Sequence, residues 1–262
     1  MSEIPKIDFE KTRSDIVEFI KSKVNEANSD GIAIGLSGGI DSTLVAYLAC
    51  EAVGPDNVFG IIMPSTTTPA EDRIHGIQTA KHLGMDYEEI AIDSILNEFL
   101  SVTQLDNDNL AIGNLKARIR MSTLYYYANY KNYLVIGTGN KSEILIGYFT
   151  KHGDGACDME PIGDLYKSEV FKLSEYLNVS TDIINKPPRA GLWENQTDED
   201  EIGMNYDLLD KILYLYTEKD MKNTEIAQKL DISVDNVDMI ITKIKRSVHK
   251  SKVPESPQKT IL

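Results

Sequence analysis

Basic residues are scarce in this sequence of 262 residues: 27 Lys and Arg stand against 41 Asp and Glu, a formal net charge of −14. A nucleic-acid binder needs a basic face to offset phosphate repulsion, so that class is not expected. Cysteine is nearly absent. Cys50 and Cys157 cannot make a disulfide framework, and a reducing interior suits them. No apolar run approaches the roughly 18–20 residues that a membrane span requires. The N-terminus, MSEIPKIDFEKTR, is charged and has no apolar signal core. Export is therefore not expected, and a cytoplasmic location is. Internal repeats are missing too. An acidic chain that handles an anionic ligand must gather its few basic residues in one place.

What is present is enough apolar sequence, 42% of residues, for one large domain over 1–262 with a substantial core. Phe9, Ile16, Val17, Phe19, Ile20 and Val24 recur at helical spacing, and Asn28-Ser29-Asp30-Gly31 stops that helix. Residues 32–36 form a short continuous apolar run, as in a strand buried on both faces. The pattern then predicts a helix over 43–52, a strand over 58–63 and a helix over about 70–83. A strand over 87–92, helices over about 94–103 and 110–130, and a strand over 133–136 follow. Such alternation predicts an α/β fold, a doubly wound, mostly parallel, Rossmann-like sheet with crossover helices. Residues 147–161 and 186–201 break the pattern as long loops, which in a compact domain are usually functional lids or disordered. Their position after strand ends favours lids. Residues about 205–250 form a helical C-terminal region.

The loop SGGIDS at 37–42 joins a buried strand to a helix, the place where an open α/β sheet binds ligands. Gly38 and Gly39 let the backbone approach an anion closely. Ser37 and Ser42 add hydroxyls, and the amides opening the next helix point to the same spot. Asp41 would repel phosphate unless it holds a Mg²⁺ that bridges to it. A tight glycine turn explains the two glycines but not the two serines and the aspartate. At the other end of the chain, residues 223–250 read like a helix-turn-helix. Asp235, Asn236 and Asp238 would open its recognition helix, and carboxylates are wrong for facing phosphates. Two packed helices closing a core are expected there instead. Neither cysteine stands in a context that suggests a nucleophile.

SGGIDS resembles the pyrophosphate loop of the ATP pyrophosphatase superfamily. Four further motifs narrow the resemblance: KARIRM at 116–121, GTGNKSE at 137–143, GYFTKHGDGACD at 147–158 and KPPRAGLWENQTDEDEIG at 186–203. Together, in this order, they closely resemble the ammonia-dependent NAD synthetases. The resemblance implies an ATP site made by Gly35, Leu36, Ser37, Gly38, Gly39, Ile40, Asp41 and Ser42 with Thr138 and Lys167. That family has a small hydroxyl residue where Arg189 stands, so Arg189 either replaces the ATP contact by charge or loses it. Asp41 and Glu143 are implied as Mg²⁺ ligands, although Glu143 alone also reads as a solvated residue in a first helical turn. Arg118, Lys151, Asp158, His249 and Lys250 are implied to bind deamido-NAD. Asp154 would hold ammonium and take a proton from it, although a loop Asp before Gly is also an ordinary turn residue. Arg118 and Arg120 lie two apart on one helix, so only one easily faces a site. The resemblance gives that place to Arg118 and leaves Arg120 to cap, pair or reach across a subunit boundary.

The implied reaction is amidation of deamido-NAD with ammonia, driven by ATP through an adenylated carboxylate. The chain starts close to the first strand, which leaves no room for an ammonia-supplying glutaminase domain and points to free ammonia. The long helix over 110–130 has apolar and aromatic residues on more than one face, so a homodimer is expected. Two rival readings remain at this point: another adenylating ligase acting on a purine or tRNA base, and a non-catalytic ATP-binding regulator.

Overall fold

The structure is a computed structural model that describes residues 4–103, 105, 108–189, 191, 193, 197–254, 256 and 257. The first helix, α1 (Phe9–Glu26), is capped by Asp8, whose side chain accepts from the Lys11 amide at 3.0 Å. Strand β1 (Gly31–Gly35) leads into α2 (Ile40–Val53). Next come β2 (Val58–Ile62), α3 (Ala70–Leu83), β3 (Asp86–Glu89), α4 (Asp93–Thr103), α5 (Asn109–Lys131) and β4 (Tyr133–Ile136). The strands pair in parallel in the order β3-β2-β1-β4.

Side chains alternate across this sheet with the period of two that a strand imposes. Ile32 and Ile34 of β1, with Val58 and Ile62 of β2, pack on the layer containing α1 and α2. Ala33, Phe59, Ile61 and Val135 face the opposite layer, where α4 and α5 lie. Helices therefore cover both faces, and the doubly wound expectation holds. The chain leaves β1 toward β2 on one side and returns to place β4 on the other. This topological switch opens a crevice at the carboxyl ends of β1 and β4. Ile34 pairs with Ile136 in register, so the loops after the two strands emerge side by side.

Beyond the sheet, α6 (Lys141–Ile146), α7 (Lys167–Tyr176) and α8 (Thr181–Ile184) precede a C-terminal group. This group is α9 (Asp198–Ile202), α10 (Tyr206–Thr217), α11 (Asn223–Leu230) and α12 (Val234–Ser247). Its own core holds Leu209, Ile212, Leu213, Ile226, Val237, Ile240 and Ile241. The pair α11–α12 spends its apolar faces on that core, as packed helices do. Between the two cores lies α7: Tyr166 at its start belongs to the C-terminal core, and Val170 and Leu173 belong to the sheet's.

Three expectations need correction. Helix α2 begins at Ile40, three residues earlier than the apolar pattern suggests, so Asp41 and Ser42 stand in its first turn. The third strand is Asp86–Glu89, not 87–92. It is an edge strand with mostly exposed residues, and Ile90 and Ile92 continue only as single bonds to the Ile62 and Pro64 carbonyls. Within 186–201, residues from Asp198 onward are helical, capped by the Thr197 side chain.

Candidate active site

A cavity of about 520 Å³ lies over the carboxyl ends of β1, β2 and β4. Its floor is the SGGIDS loop. Gly38 has φ +76°, and a Cβ there would sit 2.0 Å from the Asp72 carbonyl oxygen, so this position requires glycine. The serine hydroxyls of Ser37 and Ser42 lie 3.0 Å apart, and the Gly39 amide donates to Ser37 Oγ at 3.2 Å. Gly39 is the N-cap of α2 and brings no side-chain acceptor to the first turn. The helix N-terminus therefore offers its amides to an anion in the cavity.

Above that turn, Asp41 and Glu143 converge on one cation. Lys167 Nζ donates to Asp41 Oδ2 at 2.6 Å and to Glu143 Oε1 at 3.0 Å. The lysine side chain is only 2% exposed, whereas the two carboxylates keep 18% and 17%. Burial opposes the lysine's charge, but Asp41 and Glu143 outweigh it and hold the amine protonated well above its ordinary range. Burial pushes the Glu143 carboxyl up to about 7, with Asp41 and Asp198 adding to the rise and Lys167 pulling it back. Asp198, buried nearby, is raised by the same desolvation. The Tyr206 hydroxyl lies 3.2 Å from both Glu143 Oε1 and Asp198 Oδ2.

Local structure explains why these groups meet. After β4 the chain turns through Gly137-Thr138-Gly139 to Asn140, the N-cap of α6. Asn140 Oδ1 accepts from the Glu143 amide at 3.1 Å, and its Nδ2 donates to Asp41 Oδ1 at 2.9 Å. One amide thus caps a helix and fixes a carboxylate on another element. Lys167 is the first residue of α7, after the N-cap Tyr166, and Ser142 Oγ accepts from its amide at 2.9 Å. Fully buried Asp210, on α10, accepts from Ser142 Oγ at 2.5 Å and from the Ser168 amide at 2.8 Å. A lysine at a helix start meets an unfavourable dipole, and here carboxylates compensate for it.

The KPPR segment closes one side. Lys186 Nζ donates to the Gly38 carbonyl at 2.5 Å and to Asp72 Oδ1 at 2.6 Å. Arg189 grips Asp72 through Nε at 3.1 Å and through one terminal nitrogen at 2.9 Å, and reaches Glu71 at 3.0 Å. Desolvation works against the Asp72 charge, yet Arg189 and Lys186 hold its pKa below the usual carboxylate range.

Of the residues expected at ATP, Gly35, Leu36, Ser37, Gly39, Ile40, Asp41, Ser42, Thr138, Lys167 and Arg189 line this cavity, and Gly38 packs against the Asp72 backbone. Asp154 and Lys250 line it as well. The surrounding protein raises the Asp154 carboxyl pKa, against the bond it accepts from the Thr150 amide at 3.0 Å. Lys250 Nζ donates to the Gly147 and Phe149 carbonyls at 2.7 and 2.8 Å. The other expected dinucleotide residues stand outside the cavity wall. Arg118 donates to the Lys151 carbonyl at 3.3 and 3.2 Å, and Lys151 Nζ donates to the His249 carbonyl at 2.8 Å. Asp158 accepts from Tyr125 Oη at 3.1 Å and from the Val135 amide at 2.7 Å, which latches the 147–161 loop to β4.

The sequence model of the NAD synthase family matches residues 12–254. The chain belongs to the NAD synthase family. An NH(3)-dependent NAD(+) synthetase of Methanocaldococcus jannaschii is 49% identical over 246 residues, 93% of this chain and 95% of that relative. One from Thermococcus sibiricus is 45% identical, over 96% of this chain and 98% of its own length. Among solved structures, an NMN synthetase from Francisella tularensis has a TM-score of 0.87 at 35% identity. An NH3-dependent NAD synthetase from Campylobacter jejuni has 0.82 at 35% identity. In both cases 97% of this chain and 100% of the other are covered.

The arginine pair is placed differently from the expectation for this NAD synthase. Arg118 and Arg120 do face different ways, but Arg120 lines the cavity and Arg118 is exposed outside it. Sequence reasoning also missed Asn140, Asp198, Tyr206, Asp210 and the Lys186–Asp72 pair. Asn140 alone had a local signal, as an N-cap residue before a helix. The others act on groups more than a hundred residues away or from separate helices, and no local pattern records such pairings.

Proposed function

We propose that this protein is an ATP-dependent ligase that amidates deamido-NAD with ammonia, giving NAD, AMP and pyrophosphate. The observation that carries this reading is the convergence of Asp41, Glu143 and Lys167 over the SGGIDS loop. A carboxylate is a poor electrophile, and adenylation makes it a good one. The nicotinate carboxylate oxygen attacks the α-phosphorus of ATP, and the bond to the bridging oxygen breaks. Pyrophosphate leaves into the loop, where Ser37, Ser42 and the α2 amides receive it. Ammonia then adds to the acyl carbon, loses a proton and expels AMP. Asp154, with its raised pKa, is suited to take a proton from ammonium before the attack, and the proton of the adduct leaves with the AMP phosphate or to solvent. Lys167, Thr138 and Arg189 serve ATP. Arg118, Lys151, Asp158, His249 and Lys250 hold the dinucleotide, and Arg118, Lys151 and His249 are already linked to one another.

Asp41 and Glu143 would hold Mg²⁺. They fit it: the two carboxylates already share one cation, and with Asp198 beside them carboxylates outnumber Lys167. Bound there, the ion supplies charge neutralisation to the departing pyrophosphate. We place the enzyme in the cytoplasm, in keeping with two unpaired thiols, and take 1–262 to act as one domain. We also propose a homodimer. Ile95, Phe99 and Val102 recur at helical spacing on α4 and are 46%, 52% and 72% exposed, while Tyr126 and Tyr130 of the adjoining α5 are 71% and 84% exposed. Such an apolar stripe calls for a partner.

A second reading comes from the likeness to the Francisella NMN synthetase: the mononucleotide acid as substrate in place of the dinucleotide. Pyrophosphate release separates the readings. It should require deamido-NAD and ammonium, and glutamine freed of ammonia should not replace ammonium. Preference for the mononucleotide acid would favour the second reading. Release without either acid would refute both.

A further inference from the structure

Among the described cations of the cavity wall, Arg120 and Lys250 lack an ion pair, and Lys250 commits its amine to the Gly147 and Phe149 carbonyls. Lys167, Lys186 and Arg189 each form an ion pair with a carboxylate within 3.0 Å. Arg120 forms none among the described residues, and its hydrogen bond there runs from Nε to the Met63 carbonyl at 3.0 Å. That single bond uses one of five N–H donors. The two terminal NH2 groups are not sealed in, since the only buried unpaired side-chain polar atom among the described residues is Ser174 Oγ. They open on the cavity, which Arg120 lines together with apolar Ile61, Met63, Ala117 and Leu124. Burial disfavours the charge, and the carboxylates that favour it, Asp154 first and Asp93 second, act from beyond ion-pair distance. A guanidinium stays charged regardless. The fold thus holds a fixed positive fork against an apolar wall, with its donors unspent.

We propose that Arg120 binds a substrate oxyanion in this cavity, a carboxylate or a phosphate, through its terminal NH2 groups. The planar fork matches either anion with two parallel hydrogen bonds, and the apolar surroundings strengthen them. In the ligase reaction both sources are present: the pyridine carboxylate that must be activated, and the phosphates of the two nucleotides. The assignment rests on that reading of the cavity and adds to it a residue that anchors substrate on the α5 wall. Arg118, two positions away, is exposed outside this cavity, so its proposed hold on the dinucleotide would be at a different point.

Calorimetry on the full chain tests this with three ligands: deamido-NAD, NAD and ATP. Deamido-NAD and NAD carry the same phosphates and differ only in carboxylate against amide. Arg120→Gln retains a donor for the Met63 carbonyl and removes the charge, and Arg120→Lys retains the charge and removes the fork. Losing a charge-assisted contact weakens binding about 10- to 100-fold. If the carboxylate is the partner, Arg120→Gln loses that factor for deamido-NAD and leaves NAD and ATP unchanged. Equal weakening of deamido-NAD and NAD identifies a dinucleotide phosphate, and weakening of ATP identifies an ATP phosphate. Arg120→Lys should fall between wild type and Arg120→Gln, with melting temperatures alike across the three proteins. Unchanged binding of all three ligands in both variants overturns the assignment alone. Wild type that binds neither deamido-NAD nor ATP overturns the ligase reading and the assignment with it.

Discussion

Lys167 and Asp41 stand 126 positions apart in the chain and 2.6 Å apart at the tips of their side chains. Glu143 completes the bridge from the other side. A lysine thus balances the two carboxylates proposed to hold Mg²⁺. An ammonium and a divalent cation can satisfy the same oxygens, so binding of the ion would release Lys167 toward phosphate.

Replacing Lys167 by Met should leave Asp41 and Glu143 without their cation. Breaking a buried pair in this way costs ~3 kcal/mol. Denaturant titration of Lys167→Met at pH 8 should show a loss of that order. Millimolar Mg²⁺ should restore part of it, because it neutralises the same oxygens. A loss indifferent to Mg²⁺ would count against the metal assignment without any appeal to activity.

Asp41→Ala and Glu143→Ala should each lower deamido-NAD-dependent pyrophosphate release by more than ~100-fold, the scale of losing one electrostatic stabiliser of a transition state. Circular dichroism should match wild type, since both carboxylates keep solvent contact. Raising Mg²⁺ should rescue Glu143→Ala in part at most. A well-folded Asp41→Ala with normal turnover would exclude Asp41 from the chemistry.

Asp72 of α3 holds Lys186 and Arg189 of the KPPR segment, Lys186 also donates to the Gly38 carbonyl of the SGGIDS loop, and the folded pKa of Asp72 is lowered. A lowered carboxylate pKa adds stability above the unfolded value, near ~4, and loses it as the pH falls through the folded value. Asp72→Asn should therefore cost about 2–3 kcal/mol at pH 7, and the gap to wild type should close below pH 4. Urea midpoints across pH 3–7 would reveal it. A gap that stays constant over that range would show that the charge is irrelevant.

Light scattering at micromolar concentration should give about twice the chain mass of 29.3 kDa. Phe99→Asp and Tyr126→Glu place charges on the exposed stripe and should return the protein to one chain mass. Because Arg118 shares α5 with Tyr126, deamido-NAD binding should weaken in parallel if assembly and substrate binding are coupled. A single-chain mass for wild type would remove the dimer.

The periodic apolar pattern was enough to place most elements. Helix α3 falls at 70–83 as expected, and α5 and β4 lie within a residue or two of their expected bounds. Strand β3 was legible only in part, because edge position, not composition, decides where its ladder stops. The start of α2 was hidden because SGGIDS looks like a loop, while Gly39 in fact caps the helix.

By itself, then, the sequence determined the alternation of strands and helices, the glycine- and serine-rich SGGIDS loop and the presence of Asp41 and Glu143 in motifs. These are local properties, written in spacing of apolar residues and in glycine, serine and cap chemistry. Only the tertiary structure decided which of them touch. It set Lys167 between two carboxylates, turned Arg120 inward and Arg118 outward, and gave Asn140 and Asp210 the task of holding the others. Those outcomes depend on strand order and helix rotation, which arise when the two cores pack together and no segment encodes alone.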